Sequence, residues 1–558
     1  MSFSALFFHI LTLVGGLALF LYGMHVMGDG LTQLSGGRME KILERLTNNP
    51  IKAVLLGAAV TAVIQSSSAT TVTVVGFVNS GIMKLGQAVG VIMGANIGTT
   101  ITSWLLSMTG IESNNFFIQL LKPASFTPIL ALVGIIFIMS GKSEKKKDIG
   151  AILVGFTVLM FGMETMSGAV EPLAEIPEFT GILTMFSNPV LGLLAGAVLT
   201  AIIQSSSASV GILQALCATG SLPYAAALPI IMGQNIGTCV TAMLSSVGAS
   251  KNARRAALVH LYFNVIGTTL FMIVFYGINA FVHFEFLQEA AGVAGIAVIH
   301  SAFNIAATLV LLPFARGLEK LAMLTVRDTE EEKTNEFASL DVRFLETPAL
   351  ALEQCKKTAD QMALLTMENM KRALNSLWKY EAGDKEKVIR QEEVIDDYEE
   401  HLTEYLHQIS NHSLLESDSL HLNMILYCIR DFERISDHAL NIAEQAAKMS
   451  KSGVEWPKKT LEEMRAYMDK VNEIVGDTVH VFVSGDEEKA KVVEGLENQI
   501  DQMNKKIKKQ NIKRLKKEKC SPEVGIFINE LSINFERVAD HCENIAISYL
   551  DYMEETGE

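Results

Sequence analysis

The sequence predicts an all-α chain in two parts. The first is a polytopic membrane region with an inverted-topology repeat and two re-entrant hairpins. The second is a cytoplasmic helical bundle. Three observations carry this reading: a change of composition near residue 325, an internal repeat at an offset of 139 residues, and a pair of polar stretches set in apolar surroundings. Residues 1–325 hold 15 Lys+Arg against 13 Asp+Glu, a balance of +2, and contain apolar runs near the roughly 20 residues that a span requires. The remainder carries −17 of the chain's net −15 and has helical periodicity. Such an acidic region argues against nucleic acid as a partner. The six cysteines form no C-x-x-C pair, as expected of free thiols in a reducing compartment.

The N-terminal run Phe3–Met27 lacks a basic n-region and a clear cleavage site, and reads as a retained span. At Gly16–Met27, "GLALFLYGMHVM" begins the first copy of the repeat, and "GFTVLMFGMETM" at Gly155–Met166 begins the second. The same offset pairs Asn49-Pro50 with Asn188-Pro189, Thr61 with Thr200, and "IMGANIGTTIT" (Ile92–Thr102) with "IMGQNIGTCVT" (Ile231–Thr241). The copies span about residues 14–110 and 153–249, and a long ungapped match of this kind marks a duplication.

Basic residues orient the copies. Arg38, Lys41, Arg45 and Lys52 follow the first span, whereas residues 168–188 offer only Glu171, Glu175 and Glu178. "GKSEKKKD" (Gly141–Asp148) and "SKNARRA" (Ser250–Ala256) are basic, and 110–123 holds only Glu112 and Lys122. The positive-inside rule then inserts the copies upside down relative to each other, a transporter signature. The topology closes if residues 52–83 and 191–222 are hairpins of two half-length helices. Full spans then fall near 3–28, 85–109, 124–141, 149–167, 224–248, 257–283 and 290–313, with the N-terminus outside and the acidic region inside.

The hairpins carry "QSSS" at their centres: Gln65, Ser66, Ser67, Ser68 and Gln204, Ser205, Ser206, Ser207. Half-helix N-termini, free N–H groups and hydroxyls together form an anion cradle. About 29 residues after each comes Gly-x-Asn-x-Gly-Thr, at Gly94–Thr99 and Gly233–Thr238. Glycine permits unwinding, so a break in each helix is expected, freeing carbonyls beside Asn96, Thr99, Asn235 and Thr238. Neutral oxygens of this kind suit alkali cations. No Lys or Arg lies within these stretches, so a buried oxyanion would need a co-bound cation. His260/Asn264 and His300/Asn304 echo each other at i, i+4 and read as interhelical hydrogen-bonding positions. Glu164 and its counterpart His25 read as interfacial.

On both "QSSSAT/QSSSAS" hairpins and both "IMGxNIGT" stretches, residues 5–325 resemble the type II sodium–phosphate cotransporter family. The resemblance implies Na⁺-driven movement of inorganic phosphate by alternating access, with Na⁺ as coupling ion. It places Gln65–Ser68 and Gln204–Ser207 along the site, and Asn96, Thr99, Asn235 and Thr238 in phosphate or Na⁺ coordination.

The acidic part repeats as well. "FERISDHALNIAE" (Phe432–Glu444) matches "FERVADHCENIAI" (Phe535–Ile547), and "EEVID" (Glu392–Asp396) pairs with "ENQID" (Glu497–Asp501). Periodicity predicts two stacked three-helix bundles over 339–558, joined to the membrane region 1–314 by a linker at 315–338 that includes "RDTEEEKTNE" (Arg327–Glu336). Each E-x-x-x-D sets two carboxylates one turn apart on one face. Glu433/Asp437 and Glu536/Asp540 could bind a divalent metal, with His438 and His541 adjacent, or stand as acidic faces paired locally by Arg434 and Arg537. Here the sequence resembles the PhoU family, which implies a phosphate-linked regulatory domain with a divalent metal or iron on those faces. Ile547 stands where the first signature has Glu444.

Together these readings lead to a Na⁺-coupled phosphate symporter of the bacterial inner membrane. Its cytoplasmic region would regulate it and would offer a surface for a second copy or a regulatory protein. A phosphate exporter and a membrane-anchored phosphate sensor are the alternatives. No nucleophile–base constellation points to an enzyme.

Overall fold

The computed structural model describes residues 3–35, 49–110, 122–140, 143–176, 181–183, 185–327, 337–381, 383–412, 414–453 and 456–556. Arg38, Lys41, Arg45, Glu112, Glu178 and the acidic stretch 328–336 lie outside them. Helices account for the regular structure of the described residues, as expected of an all-α chain. The chain divides into two compact units, Met1–Thr347 and Pro348–Glu558.

The first unit comprises α1 (Phe3–Ser35), α2 (Pro50–Ile64), α3 (Ser67–Asn79), α4 (Leu85–Ser107), α5 (Pro123–Ser140), α6 (Glu144–Val170), α7 (Pro189–Ile203), α8 (Ser206–Cys217), α9 (Tyr224–Ser245), α10 (Lys251–Val282), α11 (Val293–Leu311) and α12 (Ala315–Thr325). Seven of its helical stretches, among the described residues, are long and apolar enough to cross a membrane. They coincide with the seven spans expected from sequence. Their outer faces stay apolar, with Phe281 88% and Met139 82% exposed, as a lipid environment requires. The second copy's hairpin helices and α2 are apolar but too short to span. At 1.5 Å per residue, a helix the length of α2 reaches only about 22 Å.

Each hairpin is shaped by the same local chemistry. Asn49 and Asn188 cap α2 and α7 with their side-chain oxygens, and Pro50 and Pro189 follow in the first helical turn. Gln65 and Gln204 then end these helices in the left-handed region, at φ 60° and 58°. The chain reverses there, and Ser66 and Ser205 immediately cap α3 and α8, accepting from the N–H groups of Ala69 and Ala208. Two residues suffice for the turn because one side chain ends a helix and the next begins one.

The expected breaks at Gly-x-Asn-x-Gly-Thr do not occur. α4 runs unbroken through Gly94–Thr99, and α9 through Gly233–Thr238. The glycines serve packing instead. A Cβ on Gly94 would lie 2.0 Å from the Val54 carbonyl oxygen of α2, and one on Gly233 would lie 1.9 Å from that of Leu193 on α7. Gly57 and Gly196 make the reciprocal approaches, to Val91 and Ile230. Each hairpin's first helix therefore lies backbone to backbone on the span that follows it, as small residues allow in membranes.

α10 and α11 each pack on both α4 and α9. The segment expected as a linker from residue 315 begins as the helix α12, which packs on α10 and α4. The first unit continues to Thr347, and Asp341–Phe344 lies against its core. Phe344 is fully buried beside Phe77, with ring centroids 5.4 Å apart.

The second unit contains α13 (Pro348–Ser376), α14 (Asp384–Ser410), α15 (Glu416–Ser452), α16 (Lys458–Ser484), α17 (Glu487–Lys516) and α18 (Pro522–Thr556). α13–α15 form one three-helix bundle and α16–α18 a second, with α15 packed along α18. Gly453 and Gly485 end α15 and α16 at positive φ, the usual helix C-terminal conformation. Phe432 and Phe535, equivalent in the two signatures, each stack edge-to-face with an aromatic of α16. Phe482 lies 5.1 Å from Phe432, and Tyr467 lies 5.0 Å from Phe535. Such pairs contribute about 0.5–1.5 kcal/mol beyond burial.

Candidate substrate and ion site

The two hairpin tips meet. Ser67 Oγ lies 3.5 Å from Ser206 Oγ, its own counterpart in the other copy. Beside it the Ser68 hydroxyl donates to the Gln204 carbonyl at 3.4 Å. The N-termini of α3 and α8 therefore converge on one place. The N–H groups of Ser67 and Ser68, and of Ser206 and Ser207, precede the first intrahelical acceptors, those of Ala69 and Ala208 being taken by the caps, and the helix dipoles present partial positive charge there. Ser67, Ser206 and Ser207 are buried, while Gln204 is exposed. Ser66 and Ser205 direct their oxygens back to the helix caps.

Gln65 is buried. Its Oε1 accepts from Thr102 of α4 at 2.8 Å, and its Nε2 donates to the Ala62 carbonyl. Thr61 donates to Thr70 at 3.0 Å, joining α2 to α3 just below the tip. Among the described residues, every recorded side-chain partner of the tips is neutral.

The asparagines and threonines of α4 and α9 are buried but differently engaged. Asn96 donates to Asn264 of α10 at 3.0 Å. Asn235 keeps its Nδ2 without a partner. Thr99 and Thr238 donate back one turn, to the carbonyls of Ala95 and Gln234. The recorded side-chain bond from α4 to a tip comes instead from Thr102, three residues beyond Thr99. Sequence reasoning passed over Thr102, Thr61 and Thr70 as site-supporting residues, although Thr61 and Thr102 both lie in the aligned repeat. His300 and Asn264 do bond between helices, as expected: His300 Nδ1 meets Ser103 Oγ at 2.8 Å. His260 has no such partner, and Ala242 stands where the first copy has Ser103.

In the second unit, Arg434 contacts both Glu433 at 3.3 Å and Asp437 at 2.9 Å, and Arg537 lies 3.6 Å from Asp540. Lys508 meets Glu536 at 3.2 Å. Burial, with neighbouring carboxylates adding to it, pushes Glu392 and Glu433 up to about 7. Asp396 and Asp540 are raised as well, chiefly by burial. His541 and His438 turn across the pseudo-symmetric joint, to Asp431 at 2.7 Å and to Asn534 at 2.9 Å. Among the described residues no three His, Cys, Asp or Glu side chains converge as a metal-ligand set.

Membrane-length helices enclosing two facing, duplicated polar hairpins define a membrane transport protein. A family model described as Na+/Pi-cotransporter matches residues 19–168 and again 158–308, and that of the PhoU domain matches 359–446 and 464–548. The chain belongs to the Na+/Pi-cotransporter family and carries a C-terminal PhoU region. It is 26% identical to "Putative inorganic phosphate export protein YjbB" of Escherichia coli, over 91% of both chains. It is 32% identical to sodium-dependent phosphate transport protein 2A of Rattus norvegicus, over 17% of this chain and 15% of that protein. A PhoU structure from Pseudomonas aeruginosa aligns with 37% of this chain and 97% of its own, at 22% identity and a TM-score of 0.35.

Proposed function

We propose that the chain moves inorganic phosphate across the plasma membrane coupled to Na⁺, by alternating access around the paired hairpin tips. The carrying observation is the meeting of Ser67 and Ser206, where two helix N-termini face each other among neutral partners. Phosphate would be cradled by first-turn N–H groups and the hydroxyls of Ser67, Ser68, Ser206 and Ser207. With no fixed cation bonded to the tips among the described residues, Na⁺ would balance the charge through oxygens such as Gln65 Oε1 and those of Asn96 and Asn235. The C-terminal region would lie in the cytoplasm and regulate flux. Asp341 supports this, because it bonds Asn79 of α3 at 2.6 Å and so joins the segment leading to that region to the first hairpin.

Flux of labelled phosphate into proteoliposomes, with and without a Na⁺ gradient, tests the reading. Gradient-dependent flux that saturates in phosphate is expected, and equal flux in both would remove the coupling. A second reading, net export, is favoured by the name of the Escherichia coli relative, a phosphate export protein. Reversing the gradient across phosphate-loaded vesicles decides which direction the protein supports.

A further inference from the structure

The two copies share most of their polar residues but not their hydrogen bonds. In the first copy, Thr61 bonds Thr70 at 3.0 Å, Thr102 bonds Gln65 at 2.8 Å, and Asn96 bonds Asn264 at 3.0 Å. At the 139-residue offset the corresponding pairs are Thr200 with Ser209 and Thr241 with Gln204. The third is Asn235 with Asn304. Asn304 is the counterpart of Asn264, since each donates to the carbonyl of the histidine four residues earlier, His300 and His260. All three second-copy pairs are broken. Thr200 Oγ1, Ser209 Oγ, Thr241 Oγ1, Asn235 Nδ2 and Asn304 Oδ1 are all buried without a partner, and the side chain of Gln204 is exposed.

Buried hydroxyls and amides without partners are costly, and a cluster of them at matching positions calls for a physical reason. Packing supplies one. α10 and α11 each stand on both α4 and α9, so a small shift of either pair changes which asparagines meet. Building on the alternating-access reading above, we propose that these three bonds are exchanged between the copies during the cycle. The described conformation holds the first copy's set made and the second's broken. The opposite-facing conformation holds the second set made and the first broken.

The exchange gives the two states nearly equal hydrogen-bonding energy, since three bonds replace three of like kind. A protein that must visit both states needs such balance, because a strong bias would trap it in one. The exchange also frees Gln65 of one tip when it binds Gln204 of the other. Each tip is thereby gripped in one state and released in the next.

Opposite effects from equivalent substitutions test the proposal. In the described state Thr61→Val and Thr102→Val each remove a made bond. Thr200→Val and Thr241→Val instead remove hydroxyls that have no partner there but are bonded in the other state. One such bond shifts a two-state ratio about fivefold, and two shift it about 25-fold. The full chain would carry spin labels at Ile51→Cys and Phe281→Cys, both exposed sites, with Cys520→Ser to silence the partly exposed native thiol. Pulsed electron resonance in liposomes would then read the two distance populations. Thr61→Val/Thr102→Val is expected to enrich one population and Thr200→Val/Thr241→Val the other, with the Thr→Ser doubles matching the parent. Identical distributions, or shifts in the same direction, would overturn the exchange. Opposite shifts in a protein that carries no phosphate would keep the exchange and remove the transport reading instead.

Discussion

Replacing Gly94 by alanine places a Cβ 2.0 Å from the Val54 carbonyl oxygen, 2.8 Å from its carbon and 2.9 Å from the Ala58 nitrogen. A carbon needs about 3.3 Å from a carbonyl oxygen, so α2 must move away from α4 by roughly 1.3 Å. The obstacle is backbone, and no rotamer change relieves it. Overpacking of this kind costs about 1–3 kcal/mol. The functional effect should be larger, because α2 carries the Gln65 turn that leads into Ser67. A displacement of about 1 Å at a positioned group can cost on the order of 100-fold in rate. Gly94→Ala is therefore expected to lower the phosphate flux of reconstituted protein far more than its melting temperature, and Gly233→Ala to do the same through α7. Gly15→Ala is the matched control, since nothing lies within 4 Å of its Cβ. Wild-type flux from Gly94→Ala would refute the claim that backbone contact between α2 and α4 positions the tip.

Three further outcomes are expected. Ser67→Ala and Ser206→Ala should raise the half-saturating phosphate concentration about tenfold with little loss of thermal stability, whereas Ser66→Ala should lose about 1 kcal/mol of stability as a helix cap, read by thermal melting. Phe344→Ala empties a fully buried site against Phe77 and Gly76, so it should loosen the Asp341–Asn79 connection and speed amide exchange at the end of α3, read by mass spectrometry. Glu392 and Glu433 hold protons to about pH 7 when folded, against an ordinary value of 4.5. The folded state therefore binds more protons than the unfolded between those values, and the stability of the C-terminal region should fall as pH rises from about 4.5 to 7. Melting curves of Glu433→Gln should show a flatter pH dependence over that window.

Much of the architecture was legible because duplication marks itself in sequence. Asn-Pro, Gln-Ser-Ser-Ser and Gly-x-Asn-x-Gly-Thr recur at one offset, and polar tips in half-length apolar segments require hairpins. The role of the glycines was not legible. Gly94 and Gly98 are equally compatible with an unwound helix and with a tight helix contact, and only Val54 and Ala58 lying opposite decide for contact. The bond between Asn96 and Asn264 joins residues 168 apart, beyond any local pattern. The difference between the copies is hidden for a deeper reason. Thr61 and Thr200 are the same residue, and which of them is bonded is a property of the conformational state. Ala242 opposite Ser103 is a lasting asymmetry that the repeat alignment does expose. In the acidic region, the paired signatures gave the two bundles, and the local arginine pairing of Glu433 and Asp437 was one of two arrangements their spacing allowed.

The most direct measurement is labelled-phosphate flux in proteoliposomes of the full chain, with an imposed Na⁺ gradient and with the same Na⁺ on both sides. The account expects net phosphate accumulation down the Na⁺ gradient, absent without it and weakened severalfold by Ser67→Ala. Equal fluxes in the two conditions, or full flux from Ser67→Ala, would contradict it.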